Sequence, residues 1–357
     1  MDIFQQEFAL SQPALRVSFG PGRRRTLPEE AERLGAQRAV VLSTPRHEGL
    51  GQELAGALGP LAAGVLPRAQ MHTPVEVTAA ALDDVLAMRA DCLVAVGGGS
   101  AIGLSKALAL RTGLPQIALP TTYAGSEATP VLGQTKEGRK TTITDARVQP
   151  AVILYDAELV RALPLPITAA SAMNAIAHAA EGLYARDRNP IATLLAIEGM
   201  KAFRNALPTV CRDPQDLEAR GETLYGAWLC GTVLAQVGMA LHHKLSHVLG
   251  GSFGLPHAET HAILLPHTIA YNAGAVPELL QPVAEVFDGD SPGKALHDFA
   301  RRINAPRALR DIGMKEKDIM TAAEIALGSP YWNPRELNLQ GIAALLRAAW
   351  SGDAPLW

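Results

Sequence analysis

The sequence predicts an α/β N-terminal domain built on a parallel sheet, followed by an all-α C-terminal domain. Three observations carry this. Short apolar, β-rich runs alternate with helically spaced segments up to about residue 160, the pattern of strands joined by covering helices. After Leu163-Pro164-Leu165-Pro166 the texture changes to long alanine- and leucine-rich segments, which sets the domains at 1–162 and 163–357. The length of 357 residues suits two domains of roughly 150 residues each.

Residues 16–19 read as a strand ending in the turn Gly20-Pro21-Gly22, and 28–34 as a helix. Residues 39–43 are a short apolar run, hence a buried strand, and 75–89 have helical spacing. Residues 92–96 form another buried strand, followed by glycines and a helix over 101–110 that carries Lys106. Residues 116–119 make a strand closed by Pro120, and 152–155 one more. In the second half alanine- and leucine-rich helical segments dominate to the C-terminus, among them 171–186, 190–206, 217–249 and 261–271.

Composition excludes several classes. Hydrophobic residues make up 48% and charged residues 19%, enough to fill two cores and too apolar for disorder. The net charge of −3 leaves no basic excess to hold nucleic acid or an anionic membrane. The run Arg23-Arg24-Arg25 is too short for a tail and reads as a solvated face. Cys92, Cys211 and Cys230 are scattered and odd in number, which points to a reducing compartment. The start MDIFQQEFALSQ carries acidic residues and no apolar core, so no signal peptide is expected. No run of about 18 apolar residues is present, so no membrane span is expected. A cytoplasmic protein follows from these expectations.

Gly97-Gly98-Gly99-Ser100 stands at a strand's carboxyl end with a helix behind it. Glycines let a backbone approach a pyrophosphate, and the helix N-terminus offers free N–H groups and partial positive charge. The spacing is not GxGxxG, so a plain tight turn explains the triplet equally well. A second loop, from Pro120-Thr121-Thr122-Tyr123 to Ser126-Glu127, is rich in hydroxyls and also follows a buried strand. Two such loops on neighbouring strands would form a ligand crevice, although Ser126 could serve simply as a helix cap. The strand at 39–43 ends in Ser43-Thr44 without an Asp or Glu to grip a ribose 2′-hydroxyl, and Arg46 follows. Both NADH and NADPH are therefore expected as cofactors, held by Gly97, Gly98, Gly99, Ser100, Thr121, Thr122, Ser126, Ser43, Thr44 and Lys140.

Six of ten histidines fall between 242 and 267. His243 and His247 are four apart and share a helix face. Gly250-Gly251 is expected to end that helix and Pro256 to begin the next, turning His257 back toward the pair. Upstream, Asn174 and His178 are again four apart on an alanine-rich helix. A single buried histidine is usually a satisfied core residue, but several at this spacing on separate helices suggest a pocket. His242, His261 and His267 read as mainly structural.

In these residues the chain resembles the iron-type (group III) alcohol dehydrogenase family over nearly its whole length. The resemblance rests on the Gly-Gly-Gly-Ser turn, the Pro-Thr-Thr…Gly-Ser-Glu loop, Asn174-x-x-x-His178, and His243-x-x-x-His247…Pro256-His257. It implies a dehydroquinate synthase-like architecture: a dinucleotide-binding α/β domain, a helical domain, and an active site between them. It also implies a homodimer. Metal-binding members use one Asp and three His, which match Asn174, His178, His243 and His257 here, and His247 matches an additional active-site histidine. Asn174 departs from that pattern. An amide is a weaker ligand than a carboxylate for a hard cation, so no tightly held catalytic metal is expected; if one binds, its ligands are His178, His243 and His257. Asn174, Tyr123-Ala124-Gly125-Ser126-Glu127, Gly103, Leu241-His242-His243-Lys244 and the stretch at 330–334 resemble the maleylacetate reductase subfamily, which reduces a dicarboxylate's carbon–carbon double bond late in bacterial aromatic degradation.

That chemistry needs positive potential for a dianionic substrate and a proton donor for the enolate formed on it. His243, Lys244, His247, His257 and His178 are expected to supply the first, and His243 or His247 the second. Tyr123 either orients the substrate or packs beside the nicotinamide. Three readings compete: a metal-dependent alcohol or aldehyde dehydrogenase of the same family, a sugar-phosphate cyclising lyase of the same architecture, and a non-catalytic dinucleotide sensor. The lyase would need more Lys and Arg in the helical domain, and a sensor has no use for proton donors.

Overall fold

The structure, a computed structural model, describes residues 8, 10, 14–136 and 139–357, without the side chains of 139 and 140. Apart from Phe8 and Leu10, the N-terminal stretch read above for a leader lies outside them. The chain divides into two compact units, one spanning Gln12–Leu163 and the other containing Pro164–Trp357.

The first unit is an α/β layer. Its strands are β1 (Arg16–Phe19), β2 (Ala39–Leu42), β3 (Ala62–Leu66), β4 (Cys92–Gly97), β5 (Gln116–Pro120), β6 (Val131–Lys136), β7 (Arg139–Thr144) and β8 (Val152–Tyr155). Its helices are α1 (Leu27–Arg33), α2 (Glu48–Leu58), α3 (Val75–Ala87), α4 (Gly99–Thr112) and the single turn α5 (Ala157–Val160). Six strands form a parallel sheet in the order β1-β8-β5-β4-β2-β3, as the alternating runs predict. Side chains alternate across it. Val41, Val94 and Val96 pack with Leu27 of α1 and Leu54 of α2, while Val40, Leu42 and Leu93 pack with Val85 of α3 and Leu104 of α4. Burial on both faces is why these strands read as continuous apolar runs.

In this unit α2, β3, the single turn α5 and both strands of the antiparallel hairpin β6–β7 went unread in the sequence. The Arg23–Arg25 run is only partly a solvated face. Asp156 at the end of β8 is buried and accepts the Gly22 and Arg24 N–H groups at 2.8 and 3.0 Å, and Arg24 Nη1 lies 3.2 Å from its Oδ2. The three cysteines are unpaired.

The second unit is all-helical: α6 (Leu165–Tyr184), α7 (Pro190–Arg212), α8 (Leu217–Gln236), α9 (Leu241–Phe253), α10 (His257–Ala273), α11 (Pro277–Val286), α12 (Pro292–Arg302), α13 (Ile319–Leu327) and α14 (Leu339–Ser351). Helix α6 is buried almost throughout, and its alanines let neighbouring helices approach closely. The segment 217–249, predicted as one helix, is two helices meeting at 97°. Two carboxylates explain the break: the exposed Asp187 takes the Gly238 N–H at 2.9 Å, and the buried Glu181 takes those of Ala240 and His242 at 3.3 and 2.9 Å. Gly250 and Gly251 do not end α9. It runs to Phe253, and Gly254 closes it at φ 69°. Among the described residues no single helix is long and apolar enough to cross a membrane.

Candidate active site

In the α/β unit β2 leads outward to β3, whereas β4 leads the other way to β5. The carboxyl ends of β2 and β4 therefore flank the point where the winding reverses, which is where open α/β sheets bind ligands. The glycine turn occupies this point. Gly97 has φ 146°, and a Cβ on it would lie 2.9 Å from the Ala101 Cβ. A Cβ on Gly98 would meet Thr122 Cγ2 at 2.9 Å, so only glycine lets the second loop pack against the first. A Cβ on Gly99 would meet nothing within 4 Å, leaving an open approach to the N-terminus of α4, a 14-residue helix. The turn and helix end fit a pyrophosphate. Thr121 N–H bonds the Gly97 carbonyl at 3.0 Å, joining the two loops.

The other cofactor candidates divide. The Thr121 hydroxyl is buried and has no partner among the described residues. Thr122 and Ser126 are half-buried. Ser43 is fully buried, and a Cβ on Gly51 of α2 would come within 3.4 Å of its hydroxyl, so it lies under the helix rather than at the surface. Thr44 Oγ1 lies 3.1 Å from His47 Nδ1. Lys140 stands on β7, its side chain outside the described residues. Ser100 opens α4. Lys106 faces inward instead of toward a phosphate. Its ammonium donates to the carbonyls of Ser126 at 2.6 Å, Thr129 at 2.6 Å and Val131 at 2.9 Å, and so ties down the second loop. Tyr123 is fully buried in this unit.

In the helical unit Asn174, His178 and Glu181 lie at i, i+4 and i+7 on α6, one stripe of one face. Five more histidines gather there from α9 and α10. Ring centroids stand 5.1 Å apart for His178 and His243, 5.0 Å for His243 and His261, 6.2 Å for His243 and His247, and 4.4 Å for His257 and His261. His247 and His257 stack at 6.5 Å. The i,i+4 spacing thus brings its residues together. His261, read as structural, belongs to the same cluster, whereas His267 lies outside it, its pKa held down to about 4 by burial and by His297 against the pull of Asp353.

Glu181 is the residue that sequence reasoning missed. Its Oε2 lies 2.6 Å from His243 Nδ1, and its two oxygens also accept the Tyr184 hydroxyl and backbone N–H groups at the start of α9. Burial raises the carboxyl pKa, but the hydrogen bond from His243 and the neighbouring imidazoles outweigh it and bring it down to about 2. An ionised Glu181 can only accept, so His243 carries its hydrogen on Nδ1. His243 Nε2 is left buried without a partner among the described residues, as are Asn174 Oδ1, His178 Nδ1 and His261 Nε2.

A second chain fixes His261. The Thr268 hydroxyl donates to the Leu264 carbonyl at 3.0 Å and so accepts from His242 Nδ1 at 3.1 Å. His242 Nε2 then accepts from His261 Nδ1 at 2.9 Å, and His261 turns a bare Nε2 into the cluster. Burial holds His242 down to about 3, and His178 and His261 well below the ordinary imidazole value. The expectation that His178 supplies positive charge is therefore corrected, because a fully buried imidazole surrounded by other imidazoles stays neutral. Lys244 remains half-exposed, its ammonium 5.4 Å from the Tyr331 ring centre.

The donors fit a tightly held metal poorly. Three imidazoles and an amide bring no charge to offset a divalent cation, and the nearby carboxylate of Glu181 is bonded to His243 and α9. Among the described residues no three His, Cys, Asp or Glu side chains form a group able to hold an ion.

Family models match residues 13–157 as iron-containing alcohol dehydrogenase and 168–350 as the C-terminal part of the Fe-containing alcohol dehydrogenase family. The chain belongs to the iron-containing alcohol dehydrogenase family. Within it the chain stands among the maleylacetate reductases: that of Rhizobium sp. (strain MTP-10005) is 54% identical over 350 residues, covering 98% of this chain and 99% of the relative. The crystal structure of maleylacetate reductase from Agrobacterium tumefaciens superposes with a TM-score of 0.96 at 53% identity, over 98% of this chain and 100% of that one. Sulfoacetaldehyde reductase from Bifidobacterium kashiwanohense, solved in complex with NAD+, matches at a TM-score of 0.88 and 26% identity, over 98% and 100% of the two chains.

Proposed function

We propose that this chain reduces the carbon–carbon double bond of maleylacetate to give 3-oxoadipate, with NADH or NADPH as reductant and no resident metal. The observation that carries the reading is the Glu181–His243 contact, with His243 Nε2 buried and, like Asn174 Oδ1, without a partner among the described residues.

Gly97, Gly98 and Gly99 with the N-terminus of α4 would hold the cofactor's pyrophosphate, and the bound nicotinamide supplies a hydride. Hydride addition at the alkene carbon β to the ketone moves charge onto the ketone oxygen, and the resulting enolate takes one proton at the α carbon. His243 is placed for that proton, because Glu181 fixes its Nδ1–H and offsets the charge of its imidazolium. Among the two histidines left open by the sequence, this favours His243 over the exposed His247. Lys244, next to His243 in the chain, offers its ammonium to a substrate carboxylate. The neutral imidazoles of His178 and His261, with the Asn174 amide, orient the substrate without adding charge.

The test is a substrate panel run with NADH and with NADPH. Maleylacetate is expected to be consumed with either nicotinamide, their KM values differing by less than about a hundredfold, roughly 2.7 kcal/mol, with 3-oxoadipate as product. His243→Ala should lower kcat by at least about a hundredfold. Turnover of simple aldehydes but not maleylacetate would overturn the reading.

A further inference from the structure

The polar contacts of Glu181 do not end at Tyr184. The Tyr184 hydroxyl donates to Glu181 Oε1 at 2.9 Å and accepts from Asn272 Nδ2 at 3.1 Å. Asn272 and Asn333 form a reciprocal amide pair, Nδ2 to Oδ1 at 3.0 Å in one direction and 2.8 Å in the other. The hydrogens run one way. Glu181 only accepts, so Tyr184 must donate to it; the phenol oxygen then needs a donor, which fixes the Asn272 amide, and that orientation fixes Asn333. Glu181, Tyr184 and Asn272 are each 1% exposed or less, so water cannot substitute for a missing member.

Asn333 lies in an irregular segment between α13 and α14, and other bonds hold that segment on the end of α10. Asn333 Nδ2 also donates to the Arg335 carbonyl at 2.7 Å, Arg335 Nη1 donates to the Tyr271 carbonyl at 2.8 Å, and the Tyr271 hydroxyl donates to the Glu336 carbonyl at 2.8 Å. The same segment brings Tyr331 beside Lys244, and the Tyr331 hydroxyl is buried with no partner among the described residues.

We propose that the segment at 331–336 is a positioning strap for the reduction: Asn333, acting through Asn272, Tyr184 and Glu181, sets the orientation of the His243 imidazole. Asn333 touches no reacting atom in this scheme. It is a positioning residue, and the inference rests on His243 being the proton donor. A rotation of the Glu181 carboxylate turns the imidazole it grips, and a misplaced acid group lowers kcat without weakening substrate binding.

The experiment is a four-enzyme cycle of wild type, Asn333→Ala, His243→Gln and the double variant, assayed with maleylacetate and NADH after thermal melts confirm folding. Asn333→Ala is expected to lower kcat about tenfold, short of the loss of an acid–base group itself, with both KM values within about threefold. In the His243→Gln background it should have no further effect, since it acts only through that ring. Unchanged kcat in Asn333→Ala, or losses that multiply in the double variant, would overturn the strap. An intact kcat in His243→Gln would instead overturn the proton-donor assignment, and the strap with it. If Asn333→Ala fails to fold, Tyr184→Phe cuts the same chain while keeping the ring, and the same outcomes apply.

Discussion

Glu181 on α6 and His243 on α9 meet through a 2.6 Å carboxylate–imidazole contact that also determines where α9 begins, since the same carboxylate accepts the His242 N–H. Glu181 thus shares with Asp187 in breaking the 217–249 helix and also orients the imidazole. Glu181→Gln should therefore damage both fold and catalysis. Replacing a buried, multiply hydrogen-bonded carboxylate leaves buried donors unsatisfied at about 1–3 kcal/mol, and an orienting carboxylate lost from a donor histidine lowers kcat by a hundredfold or more, up to about 10⁴. Thermal melts and single-turnover hydride transfer check the two effects. A variant with native stability and kcat would contradict the role given to Glu181.

Acid should unfold the protein well above the carboxylate range. Burial depresses His242 to about 3, His267 to about 4, and His178 and His261 well below their ordinary value near 6.5. A base with a depressed folded pKa leaves the unfolded chain binding more protons between the two values, so stability is complete above about pH 6.5 and is lost as pH falls toward 4 and below. His242 and His267 can each remove up to about 2 kcal/mol by pH 5, a large share of the stability of a typical domain, about 5–15 kcal/mol, and His178 and His261 act in the same direction. Glu181 has the same sign and a lower window. Its stabilisation persists above about 4.5 and fades as pH falls toward 2. Denaturant midpoints from pH 8 to 5 should fall steeply below 6.5; a flat profile to pH 5 would contradict the buried, neutral histidines.

Gly97→Ala should weaken nicotinamide binding through the backbone. A φ of 146° and a Cβ placed 2.9 Å from that of Ala101 strain any L side chain by about 1–3 kcal/mol. The turn must shift to relieve this, so the KM for NADH is expected to rise more than that for maleylacetate. Equal changes in both, or none, would detach the turn from the cofactor.

The parallel sheet was legible because strands buried on both faces read as apolar runs, as in residues 92–96 and 152–155. Strand β3 was not: its Ala62-Ala63-Gly64 start lacks the branched side chains that mark a strand, and the β6–β7 hairpin is polar at its tip. In the candidate site, helical spacing exposed the pairs Asn174/His178 and His243/His247. Glu181 also sits on that stripe, three residues past His178, but one glutamate on a helix ordinarily faces solvent. Its burial and its hold on α9 are long-range facts that no local pattern carries. The helix break at 237–240 went unread for the same reason. Lys106, on the helix behind the glycine turn, faces three carbonyls instead of solvent because the second loop folds back over α4.

The central claim is that this histidine site reduces maleylacetate without a resident metal. It is tested most directly by NADH oxidation with maleylacetate after exhaustive chelation, with metal content measured on the same sample. The expected result is turnover close to that of untreated enzyme, with 3-oxoadipate formed in step with NADH consumed. Loss of turnover on chelation, restored only by Fe²⁺ or Zn²⁺, would contradict it.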